Sequence, residues 1–404
     1  MTSKERVLAS LRHSEPDRVP IDLGGMDSTG ITAVAYNRLK KHLGIEGGTT
    51  RIYDPYQQVV KVEESVLEAI GGDVLPVIRE PRVWKPAVLA DGSDCEIPER
   101  WNPIRMPDGS QAVKDARGAV IAVMPSGGYY FEPVNPPLEK ASSVADVEAC
   151  LDVLENFDWP DYCDEDFVDL RQKAAHLFDN TDYALFGNFA VHIFAAGQLL
   201  RGTEQFMVDL AEDSAIAHYI MDRLVDVYIR RFDDYNLALG QYIQIINVND
   251  DLGAQNGLMI SPAMYRRSVK PYQERLYRHI KETSDLFLFL HSDGSVYDVI
   301  PDLIEMGVDI LNPVQFNCRN MELERLKREF GKDISFWGGG CDTQNILPYA
   351  KPGEVREHVT KCVATLAPGG GFVFNQLHNI QPDVPSENIT AMYEAVKEWR
   401  YGAV

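Results

Sequence analysis

From residue 183 onward, hydrophobic and polar positions repeat in a fixed order. A short run of consecutive apolar residues is followed by a turn, then by apolar residues three and four apart. Continuous apolar runs suit strands buried on both faces, and the wider spacing suits helices that cover them. The predicted strands lie in YALFGN (183–188), QYIQIINVND (241–250), DLFLFLH (285–291), VDILNPV (308–314), ISFW (334–337) and GFVF (371–374). A helix near Val299–Met306 ends at Gly307, placed to take the left-handed conformation that closes a helix. Leu323, Leu326 and Phe330 stripe the next helix, which stops at Gly331, and Val355, Val359, Cys362, Val363 and Leu366 stripe another. Ile389, Met392, Tyr393, Val396 and Trp399 mark the last. This alternation predicts a parallel sheet with crossover helices.

An earlier unit has Val59, Val62, Val66 and Ile70 on one helix face, a Gly71–Gly72 cap, and VLPVI (74–78) as its strand. Residues 80–165 are rich in Pro, Gly, Asp and Trp and have no clear period. They are expected to form an irregular excursion with a small hairpin around AVKDARGAVIAVM. The predicted fold is an α/β (β/α)₈ barrel, with residues 1–404 as one domain carrying this excursion. A doubly wound sheet is the competing architecture, but the Gly-rich fingerprint it needs after its first strand is missing. Gly338–Gly340 and Gly369–Gly371 lack the GxGxxG spacing and read as turn glycines.

Composition narrows the function. A formal net charge of −22 argues against nucleic acid or an acidic membrane surface as partner, because phosphate binding needs a basic footprint. Six cysteines without a CxxC pair fit reduced thiols. The N-terminal stretch carries charges throughout, and no apolar run approaches the ~18 residues that span a bilayer. A cytoplasmic enzyme acting on a small molecule is the expectation, and a homodimer is compatible with it.

In a (β/α)₈ barrel the chemistry stands at the C-terminal ends of the strands. Those positions hold Asn188, Asp250 and Asp251, His291 and Asp293, Gln315, Cys341 and Asp342, and His378 and Asn379. His291 and Asp293, two apart after a strand, are ordinary zinc ligands, and His378 from a later strand would make three. Alternatively, His291 hydrogen-bonds Asp293 or Ser292 and caps the strand. Cys341 is an optional further ligand or a small buried residue. Asp250 and Asp251 suit substrate binding, acid–base work or capping of the following turn.

LHSDGSVYDVIPDLIEMGVDILNPVQ, FWGGGCDTQNILP and PGGGFVFNQLHNIQPDVPSENI resemble the uroporphyrinogen decarboxylase superfamily, as do GNFAVHIFAAGQLLRGTEQFMVDL and DDLGAQNGLMISPAMY. The resemblance implies a (β/α)₈ barrel and points to two branches. One contains the porphyrinogen decarboxylases. The other contains zinc methyltransferases that serve corrinoid proteins, including O-demethylase subunits. The Arg-rich N-terminal segment of the decarboxylases has no counterpart in RVPIDLGGMDSTGITAVAY. The methyltransferase pattern, an HxC motif and a later cysteine, appears here as His291, Asp293 and His378. Gln315 stands about where some members present an acidic ligand. The resemblance therefore implies a methyltransferase with zinc as cofactor and a corrinoid carried by a partner protein; joined to the strand-end positions, it makes His291, Asp293, His378 and Cys341 the expected metal ligands and Gln315, Asp251 and Asn188 the expected catalytic residues. Two alternatives are a decarboxylase or other lyase on a small carboxylated substrate, and a non-catalytic binding barrel.

Overall fold

A computed structural model describes residues 1–115, 118–157 and 163–402. Seven parallel strands form one sheet in sequential order: β1 (Val74–Val77), β2 (Ala184–Val191), β3 (Ile245–Asn249), β4 (Phe287–His291), β5 (Ile310–Asn312), β6 (Ser335–Trp337) and β7 (Phe372–Val373). Residues 20–22 fill the remaining gap. The Asp22 amide donates to the Phe374 carbonyl at 2.9 Å, the Phe374 amide to Pro20 at 2.8 Å, and the Asp73 amide to Ile21 at 2.8 Å. This eighth stave joins β7 to β1 and closes the (β/α)₈ TIM barrel. Three residues beginning with a proline are too short to show a strand period, so hydrophobic patterning misses it.

The strands are apolar throughout because both faces are buried. In β4, Leu288 and Leu290 pack outward against the helices, whereas Phe289 points inward with Phe186 and Trp337. These three rings meet edge to face at 5.0–5.8 Å between centroids and fill the barrel below its C-terminal mouth. The helix Ser3–Leu11 plugs the opposite end with Val7 and Leu11. There Arg6 and Arg18 pair with buried Asp73, each at 2.7 Å.

Three local expectations change. The helix expected to carry Val59 to Ile70 is Glu64–Ile70, preceded by a two-residue strand at Val59–Val60. β2 runs three residues beyond YALFGN, to Val191. The excursion is not irregular throughout: Trp84–Val88 pairs with Asp94–Pro98, and Ile104–Arg105, Gln111–Lys114, Val120–Met124 and Glu132–Pro133 form a second antiparallel sheet. Trp101, Val113, Ala122 and Phe131 make a small core of its own. Its strands are short and half exposed, so their alternation is weak. The expected hairpin is present as the pairing of Gln111–Lys114 with Val120–Met124, and residues 116–117 of its turn lie outside the described residues. Among the described residues the six cysteines form no disulfide, and no helix is long and apolar enough to cross a membrane.

Candidate active site and metal-ligand cluster

Strand register sets the site. Asn249 lies beside His291, and His291 beside Asn312, so the last residues of β3, β4 and β5 are level at the barrel mouth. The two-residue period that turns Phe289 into the barrel turns His291 inward one layer higher. His291 is buried, and its Nδ1 lies 2.7 Å from Asn312 Oδ1. The Asn312 amide is oriented by donating Nδ2 to the Trp337 carbonyl at 2.8 Å. Its oxygen therefore accepts from Nδ1–H, which leaves the Nε2 lone pair facing the mouth.

Around that Nε2 stand Ser28 Oγ at 3.3 Å, Asp293 Oδ2 at 3.9 Å and Asp251 Oδ1 at 4.0 Å. His378 is held in the same manner. Its Nδ1 lies 3.1 Å from Asn379 Oδ1, while Asn379 Nδ2 donates to Gln57 Oε1 at 2.8 Å. That leaves His378 Nε2 3.7 Å from Asp293 Oδ2. One ligand atom each from His291, Asp293 and His378 lies within 4.8 Å of the others. Burial opposes a charged His291 imidazole. The fields of Asp293 and Asp251 and the Asn312 hydrogen bond nevertheless hold its pKa above the usual value.

Two loops meet backbone to backbone to build this arrangement. Gly294 has φ +85°, and a Cβ there would lie 2.4 Å from the Gly253 carbonyl carbon. That close approach lets Asp293 N donate to Asp251 Oδ1 at 2.9 Å, Gly294 N to Gln315 Oε1 at 2.7 Å, and Ser295 N to Ala254 O at 2.9 Å.

The mouth opens into a cavity of about 600 Å³. Among the proposed site residues, His291, Asp293, His378, Asp251 and Gln315 line it. Asn188 and Cys341 are not brought there. Because β2 continues to Val191, Asn188 falls within the strand, and His192 is the residue that reaches the cavity. Cys341 is fully buried in the core, with Sγ 3.9 Å from the Asp342 carbonyl, and burial pushes its thiol well above the usual range. Asp250 caps the helix Phe194–Arg201, accepting from the amides of Phe194 at 3.0 Å and Ala195 at 2.8 Å, and from Gln273 Nε2 at 2.7 Å.

Sequence reasoning missed Asp27 and Ser28, which the eighth stave delivers, and Gln57 and Tyr130. The Tyr130 hydroxyl donates to Asn379 Oδ1 at 2.7 Å. None of these follows an apolar strand, so no periodic signal marks them.

The description "Uroporphyrinogen decarboxylase (URO-D)" belongs to the family whose sequence model matches residues 180–399. The uroporphyrinogen decarboxylase of Nostoc sp. is 27% identical over 190 residues, covering 46% of this chain and 49% of that protein. The Thermus thermophilus protein of the same name is 25% identical over 186 residues, covering 46% of this chain and 50% of its own length. The chain thus spans about half the length of these curated relatives. A structure described as a methyltransferase from Methanosarcina mazei superposes over 98% of this chain and 99% of its own, with a TM-score of 0.57 at 16% identity, a likeness of fold.

Proposed function

This chain belongs to the uroporphyrinogen decarboxylase family, and we propose that it works there as a methyltransferase. It would pass a methyl group between a small oxygenated substrate, such as a methyl ether, and a corrinoid carried by a partner protein. The observation that carries this reading is the convergence of His291, Asp293 and His378 at the mouth of the barrel.

The donor set fits zinc. Two imidazole nitrogens and one carboxylate oxygen match the three-ligand sets of catalytic sites, which keep a fourth position open. The anchoring of each histidine through Nδ1 is the outer support such ligands commonly have. Asp293 is half exposed, so its carboxylate can turn, and the three donor atoms, now within 4.8 Å of one another, would draw closer around the ion. Bound there, zinc would supply Lewis acidity toward an ether oxygen.

The chain's own groups do the rest. Gln315 uses Oε1 to hold the Gly294 amide, and its NH₂ group remains to donate to a substrate oxygen. Asp251, beside His291 on the solvent side, is placed to deliver or remove a proton there. The buried aromatic floor of Phe186, Phe289 and Trp337 closes the barrel below the site, so substrate and water approach from the mouth.

A decarboxylase reading rests on the names of the sequence relatives. The absence of lysine and arginine from the described residues lining the cavity weighs against capture of a polycarboxylate.

The test is elemental analysis of purified protein, then incubation with reduced corrinoid protein and a panel of methoxylated compounds. One zinc per chain and methylated corrinoid are expected, both lost in His291→Ala. Protein that stays metal-free after zinc reconstitution and releases CO₂ from a carboxylated substrate would move the assignment to a lyase.

A further inference from the structure

We propose that the cavity selects its substrate by charge, accepting uncharged or cationic small molecules and turning away carboxylates. This rests on the cavity being the substrate site, as above. Its described lining contains three carboxylates, Asp27, Asp251 and Asp293, and neither lysine nor arginine. A divalent ion on Asp293 would still leave one negative charge in excess.

Among the described residues, neither Asp27 nor Asp251 pairs with a lysine or arginine. Asp27 accepts from the Ser28 amide at 2.9 Å and from Gln57 Nε2 at 3.1 Å, both neutral donors. Asp251 accepts from the Asp293 amide, and its Oδ1 lies 4.0 Å from His291 Nε2. Arg18, the arginine nearest in sequence to Asp27, is committed to Asp73 at the far end of the barrel, as is Arg6. A substrate carboxylate would therefore enter a field of its own sign, screened only where the mouth is wet.

The remaining lining favours neutral recognition. Gln57, Gln315, Gln344, Asn249 and Gln381 offer amide groups, and Tyr129 and Tyr130 add aromatic surface. Amides hydrogen-bond ether and hydroxyl oxygens without requiring charge, and tyrosine faces tolerate or attract cations. A volume of about 600 Å³ admits a substituted ring with room to spare.

Three probes of one shape test this: 2-methoxyphenol, 2-methoxybenzylammonium and 2-methoxybenzoate. Each is titrated calorimetrically into the protein as isolated, with its metal content recorded. The phenol and the ammonium should bind at least about tenfold more tightly than the benzoate, the scale of one like-charge contact at partly wet distances. Asp27→Asn and Asp251→Asn should each narrow that gap several-fold, Asp27→Asn while leaving phenol binding nearly unchanged. Benzoate binding as tight as phenol, a gap indifferent to both substitutions, or no binding of phenol and ammonium at millimolar concentration would each overturn the proposal. Failure of methyl transfer with this ranking intact would sink the methyltransferase reading alone.

Discussion

The Nδ1 of His291 and the side-chain oxygen of Asn312 lie 2.7 Å apart across the β4–β5 pair, and the Asn312 amide nitrogen is tied to the Trp337 carbonyl. A three-strand relay thus decides which nitrogen of His291 faces the cavity.

Asn312→Ala should break that relay while leaving every proposed metal ligand in place. Loss of an outer-shell partner of this kind commonly lowers metal affinity about 10–100-fold. Competition titration against a chromogenic zinc chelator measures it. Zinc affinity equal to wild type would show that His291 needs no such support.

The roles of the histidines and of Cys341 separate cleanly. His378→Ala and Asp293→Ala should each abolish stoichiometric zinc, since each removes one of three converging donors. Cys341→Ala should retain it, because the thiol is sealed in the core away from the cavity. Its cost is the loss of a small buried group, about 1 kcal/mol. Metal analysis and chemical denaturation of the three variants distinguish these outcomes. Loss of zinc in the cysteine variant would restore Cys341 as a ligand.

Gly294→Ala should damage both stability and site. The substituent forces a left-handed conformation on a residue with a Cβ, at about 1–2 kcal/mol, and also drives it into the Gly253 backbone. The loops must part, which separates Asp251 from Asp293. A lower melting temperature together with weakened zinc binding is expected. Wild-type behaviour in both would mean that the two loops are not held together as described.

Asp22 gives stability a definite pH signature. It is fully buried, and burial raises its pKa to about 6, against the opposing hydrogen bonds from Trp337 Nε1, Thr29 and the Gly25 amide. The native state therefore holds this proton more tightly than the unfolded chain, so stability from this group is full below about pH 4 and is lost as pH rises to about 6. The slope approaches about 1.4 kcal/mol per pH unit within that window, by the linkage relation for one proton. Asp22→Asn should remove this component, seen by comparing denaturation midpoints of the two proteins across pH 4–7. Parallel curves would contradict the assignment.

The alternation of apolar runs and helical stripes was legible because the barrel buries its strands on both faces and its helices on one. Placing residues at strand C-termini then sufficed to pick out His291, Asp293, Gln315 and His378, since parallel strands in register end at one level. That rule failed where strand length was misjudged: Asn188 sits inside β2 because the strand runs on to Val191. It failed again at Cys341, where the turn after β6 folds the thiol into the core. Only the tertiary structure decided that residues 20–22 close the ring, that the excursion's second sheet leads to Tyr129 and Tyr130 on the cavity wall, and that Asn312 and Asn379 fix the two imidazoles. These are contacts between segments distant in sequence, made by single polar residues that bury no periodic surface. Periodicity records what a segment must hide from water. It holds no record of which distant side chain will meet a given hydrogen bond.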